Sequence, residues 1–175
     1  HFDVPMHLVK EYGSWRNRKM VDFYKNYVNV VLKRYRDYVK YWLTFNEINM
    51  LLHASFMGAG ICFEEGENEL QVKYQAAHNQ LASALATGIA HEINPDNMVG
   101  CMLAGGNNYP YSCRPEDYYK AITQDREGYF FIDVQSRGYY PSYALKKFER
   151  ENIRIQMEPD DLEILKKNTV DFISF

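Results

Sequence analysis

The residues best placed to do chemistry are Asn46 and Glu47, an amide followed by a carboxyl group at the end of the aromatic run Tyr41-Trp42-Leu43-Thr44-Phe45. That run reads as a short buried strand, and in parallel α/β folds ligands bind at the C-terminal ends of the strands. There an amide can orient a sugar hydroxyl without carrying charge, while a neighbouring carboxyl group handles its proton. An Asn-Glu pair after a strand also serves as plain helix-cap chemistry, so the dipeptide alone does not define a site. Geometry adds a condition. Successive residues of a regular strand face opposite sides, so both side chains reach one ligand only if the strand is distorted or ended there.

Other candidates are read more simply. Phe2, beside His1, and Trp15 are aromatic faces on which a flat ligand could stack; Phe2 is preferred by position, and Trp15 with Arg16 and Asn17 reads as fixing a loop. His7, His53, His78 and His91 show neither HxxxH nor HExxH spacing, so structural roles are expected and no metal site. Glu64, Glu65, Glu67 and Glu69 read as a solvated loop, and Gly58-Ala59-Gly60 as a flexible segment too short to cradle a phosphate.

The elements that must hold these residues alternate. Apolar residues at three-to-four spacing predict an amphipathic helix over Met20 to Val39, a second over Leu70 to His91, and a buried strand at Met98 to Leu103. Pro115, followed by Glu116 and Asp117, opens a helix expected to reach Arg126. Further helices over Ser142 to Glu151 and Asp160 to Lys167 lead into a last strand at Thr169 to Phe175. Three buried strands separated by helices imply parallel pairing and an α/β sheet. A doubly wound sheet and a (β/α)8 barrel both fit; a barrel needs about 250 residues, so that reading makes residues 1–175 a single incomplete domain. The ends agree, since the chain opens mid-passage at His1-Phe2-Asp3 and closes on an apolar run.

Composition narrows the partners. Twenty Lys and Arg against 23 Asp and Glu give a net charge of −3, and no basic run marks a nucleic-acid or membrane-surface footprint. Hydrophobic residues at 46% and charged residues at 25% are ordinary for a globular protein. Aromatic residues at 15% point first to a thick core. Three cysteines without CxxC spacing, and no Asn-X-Ser/Thr sequon, favour a reducing, cytoplasmic home.

Five segments, in order, resemble landmarks of family 1 glycoside hydrolases: His1 to Pro5, Trp15 to Arg18, Trp42 to Glu47, Gly138 to Pro141, and Val170 to Ser174. The resemblance spans the chain, from the end of the third to the sixth strand of that family's (β/α)8 TIM barrel. Phe2 and Ile48-Asn49 are most similar to the 6-phospho-β-glucosidase branch. It implies hydrolysis of 6-phospho-β-glucosides with retention of configuration, releasing glucose 6-phosphate, with unphosphorylated β-glucosides or β-galactosides, or a non-catalytic segment, as alternatives. By the same resemblance Glu47 is the general acid and base, Asn46 holds the sugar 2-hydroxyl, and His1 binds another glycone hydroxyl. No cofactor is implied; the partner is a phosphorylated β-glucoside substrate, and a homo-oligomer is compatible. The second carboxylate of a retaining site is expected outside this chain, which leaves a half-built site and a partial sheet with two unpaired edges.

Overall fold

Three short parallel strands, β1 (Tyr41–Leu43), β2 (Met98–Met102) and β3 (Phe172–Ser174), form one sheet in the order β1-β2-β3. The computed structural model describes residues 3–175, so the candidate site residues His1 and Phe2, with which the chain opens, lie outside the described residues. Tyr41 pairs with Met98 and Leu43 with Gly100, while Gly100 pairs with Phe172 and Met102 with Ser174. Gly100 is required by packing: a Cβ there would stand 2.4 Å from the Phe172 ring.

Only β2 is buried as the sequence predicts. Tyr41 is 67% exposed, Leu43 45% and Ile173 46%, because among the described residues β1 and β3 are the edges of the sheet and have no further strand beside them. Trp42 and Val99 turn the other way and pack with Val28, Leu32, Ala86 and Ala90 of the helical layer.

That layer holds α1 (Met6–Tyr12), a 3₁₀ turn (Ser14–Arg16), α2 (Lys19–Tyr35), α3 (Met50–His53), α4 (Ser55–Ala59), α5 (Glu69–Ala82), α6 (Leu85–Ile93), α7 (Pro115–Arg137), α8 (Ser142–Arg150) and α9 (Asp161–Lys167). The helix expected over Leu70 to His91 is two helices. At the break the Ser83 hydroxyl donates back to the Asn79 carbonyl at 3.2 Å, and the Ser83 and Ala84 amides bond three residues back rather than four. Apolar periodicity continues through the joint and does not reveal it. Conversely α7 runs beyond Arg126 to Arg137, passing through Gly128 and stopping at Gly138, whose φ of 75° supplies the left-handed cap.

Two predicted loops are more ordered than expected. Gly58-Ala59-Gly60 ends α4, and a Cβ on Gly58 would stand 2.6 Å from the Leu51 backbone nitrogen, so this is a close-packed contact between α3 and α4 and not a flexible segment. In the acidic loop Glu67 accepts from the Arg16 guanidinium and from the Glu64 amide, which takes it out of the solvated run. The main core joins α2, α5 and α7 through Val21, Ala77, Leu81, Phe131 and Val134, with Trp15, Tyr74, Tyr140 and Phe148 supplying its aromatic share.

Candidate active site

The ladder of β1 stops at Leu43, and the chain from Thr44 to Glu47 is a run of bends. The Thr44 amide still reaches the Gly100 carbonyl at 3.4 Å, and contact with β2 resumes only when the Ile48 amide donates to the Met102 carbonyl at 3.2 Å. Between them Glu47 takes φ of 43°. A non-glycine residue in that region costs roughly 1–2 kcal/mol, and its surroundings must hold it there. The strand is therefore ended before Asn46 and Glu47, which removes the strict alternation of a regular strand at these two residues.

Contacts on both sides hold the bend. Ile48 is 1% exposed and acts as an apolar anchor. The Met50 amide donates to the Glu47 carbonyl at 2.8 Å and begins α3. Asn49, itself buried, donates from Nδ2 to the Ala104 carbonyl at 3.1 Å and accepts from the Ala104 amide at Oδ1 at 2.9 Å. Upstream, the Tyr24 hydroxyl donates to the Thr44 carbonyl at 2.8 Å, and burial pushes that phenol up, so it stays a neutral donor. Phe45 stacks on Tyr24 with ring centroids 5.0 Å apart and meets Trp15 edge-on at 5.3 Å. Trp15 is thus a core residue that backs the strand end, and its own carbonyl accepts from Asn79 at 2.9 Å.

Asn46 is exposed and lines a cavity of about 270 Å³ together with Asp3, Pro5, Trp15, Tyr24 and Gln80. Glu47, half-buried, is not in that cavity's wall. The stretch Asp3-Val4-Pro5, which follows His1 and Phe2 directly, does line it. Asn46 and the segment from Asp3 to Pro5 are therefore brought to one place, while His1 and Phe2 themselves lie outside the described residues.

The histidines divide by environment. His53 and His7 are exposed; His91 bonds Asp171 at 2.9 Å, and the same Asp171 oxygen accepts the Val99 amide at 2.7 Å, tying the approach to β3 onto β2 and α6. His78 is fully buried with both ring nitrogens committed, Nδ1 to the Tyr140 hydroxyl at 2.6 Å and Nε2 to Asp161 Oδ2 at 2.7 Å. Asp161 also takes both Arg18 terminal nitrogens, at 2.7 and 2.6 Å, and the Glu158 amide at 2.8 Å. Burial pushes the Asp161 carboxyl up, but its bonds from Arg18, His78 and Glu158 outweigh that and hold it below the ordinary carboxylate range. Desolvation pulls His78 down despite Asp161, so it is neutral, with Nε2–H donating to Asp161 and Tyr140 donating to Nδ1. Among the described residues no cluster of three or more His, Cys, Asp or Glu has a metal-holding arrangement.

Set against known proteins, the whole chain, residues 1–175, matches the model of glycosyl hydrolase family 1. It is 65% identical over its full length to 6-phospho-beta-glucosidase AscB of Escherichia coli (strain K12), covering 37% of that protein. To aryl-phospho-beta-D-glucosidase BglH of Bacillus subtilis (strain 168) it is 51% identical, covering 38%. In three dimensions it resembles the family 1 b-glucosidase from Thermotoga maritima with a TM-score of 0.78 and 27% identity, over 99% of this chain and 38% of that one. The chain thus spans less than two-fifths of the length of the relatives it matches.

Proposed function

Because this chain belongs to glycosyl hydrolase family 1 and folds as part of that family's (β/α)8 barrel, we propose that the full-length protein hydrolyses 6-phospho-β-glucosides with retention of configuration. The observation that carries the reading is the 65% identity, across every element described above, to a protein named for that activity. Glu47 is proposed as the general acid that protonates the glycosidic oxygen and then, as a base, deprotonates water. Asn46 is proposed to hold the sugar 2-hydroxyl, a bond that strengthens as the ring flattens towards an oxocarbenium ion. His1 and Phe2 are proposed at the glycone, one as hydrogen-bond partner and the other as stacking surface, supported by the place of Asp3 to Pro5 in the Asn46 cavity. The nucleophilic carboxylate, about 5–5.5 Å from the acid in a retaining enzyme, is assigned to a part of the protein beyond these 175 residues.

A cytoplasmic home is part of the same proposal: all three cysteines are free, as a reducing compartment leaves them, and a phosphorylated sugar is an intracellular kind of substrate. The test is a comparison of kcat/KM for a chromogenic β-glucoside with and without the 6-phosphate. Preference for the phosphorylated substrate is expected, and equal or faster turnover of the neutral sugar would replace this reading with a β-glucosidase.

A further inference from the structure

A second, much smaller cavity lies behind the strand end. It measures about 10 Å³ and is lined by Thr44 and Phe45 after β1, Gln80 of α5, Ser83 and Ala84 at the α5–α6 joint, Thr87 of α6, Gln135 of α7, and Asn168 and Val170 before β3. Four of these residues, Thr44, Gln80, Thr87 and Gln135, carry a side-chain oxygen that is buried and has no hydrogen-bond partner in the protein. Gln80 and Thr87 are each 1% exposed and Gln135 7%. The other polar side chains of the wall already donate elsewhere, Ser83 to the Asn79 carbonyl and Asn168 to the Ile164 carbonyl.

We propose that this cavity is the site of one ordered structural water. The volume is that of a single water, for which about 10–15 Å³ of space is needed. The chemistry fits one as well. The Gln80 and Gln135 amide oxygens are acceptors, and the Thr44 and Thr87 hydroxyls can both donate, so the wall offers two acceptors and two donors to a molecule that has two hydrogens and two lone pairs. Leaving buried oxygens such as these unpaired in the interior is costly, so a molecule that pairs with them is held there.

The position gives the water a task. It joins α5, α6 and α7 to Thr44, two residues before Asn46, while the Val170 amide donates to the Gln135 backbone carbonyl at 3.0 Å on the side leading to β3. Gln80 also lines the Asn46 cavity, so the water sits directly behind the wall of that cleft. This site stands whether or not the hydrolase reading is correct.

The experiment is a crystal structure of the full-length protein at a resolution that orders internal waters, with Thr87→Ser and Thr87→Val alongside. Expected is a full-occupancy peak within about 3.2 Å of at least three of the four oxygens in the wild type and in Thr87→Ser, with loss of at least half that occupancy in Thr87→Val. No peak in the wild type, or the four oxygens paired with one another, overturns the proposal, and so does an unmoved full-occupancy peak in Thr87→Val. Should Thr87→Val fail to fold, the wild-type map decides.

Discussion

Asn49 and Ala104 hold each other by two reciprocal hydrogen bonds, Nδ2 to carbonyl at 3.1 Å and amide to Oδ1 at 2.9 Å. The pair locks the turn after Glu47 to the chain leaving β2, so the left-handed conformation of Glu47 is held from outside its own loop. Replacing Asn49 with Asp keeps the acceptor but sets an oxygen against the Ala104 carbonyl. For Asn49→Asp and Asn49→Ala in the full-length protein we expect kcat to fall about 10- to 100-fold from displacement of Glu47, the proposed acid, with a smaller change in KM. Steady-state kinetics would check this, and an unchanged kcat in both variants would separate Asn49 from the positioning of Glu47.

Glu47 itself is tested by leaving group. A general acid contributes about 10²- to 10⁴-fold, and it does so where the departing oxygen needs a proton. Glu47→Gln should abolish turnover of alkyl and sugar aglycones while sparing most of the glycosylation step for an activated phenol. Equal losses across the series would remove Glu47 from the acid role.

The buried network predicts the response to acid. His78 is held below its ordinary value by desolvation, so below about 6.5 the unfolded chain takes up a proton that the folded one resists, and stability drops as pH falls. Asp161 is held low by Arg18, His78 and the Glu158 amide against its own burial, so its contribution is present above about 3.9 and is lost only at lower pH. The urea midpoint should therefore fall between pH 7 and 5, and the fall should flatten in His78→Gln. An identical slope in the variant would assign the pH dependence to other groups.

What the sequence shows and what it hides follow from the range of the interactions. The strand end at Thr44 to Glu47, the proline start of α7 and the parallel order of three strands are written in neighbouring residues and in spacing, and they are legible. The Arg18–Asp161 pair spans 143 positions and His78–Asp161 spans 83, so no local pattern announces them. Glu67 looks like one of four loop carboxylates until folding sets Arg16, 51 residues away, against it. The exposure of β1 is hidden for a related reason: an apolar run fits a central strand or an edge, and the difference lies in what pairs beside it. Asn49 carries a motif signal beside Glu47, yet its partner Ala104 lies 55 residues downstream.

The last expectation separates two glycines of one helix. Gly138 closes α7 at φ of 75°, and a Cβ there would stand 2.8 Å from the Lys166 Cα and 2.9 Å from the Leu165 carbonyl oxygen, both backbone atoms that cannot swing away. Gly138→Ala therefore meets a conformational cost and an overpacking cost together, about 2 kcal/mol or more. Gly128 lies inside the same helix with nothing within 4 Å of an added Cβ. There alanine gains helix propensity and restricts the unfolded chain, so Gly128→Ala should stabilise by about 0.5–1 kcal/mol. Urea denaturation of the two variants beside the wild type gives both signs in one experiment. A stabilised Gly138→Ala would mean that the end of α7 and the last turn of α9 do not pack as closely as the contact between Gly138 and Lys166 requires.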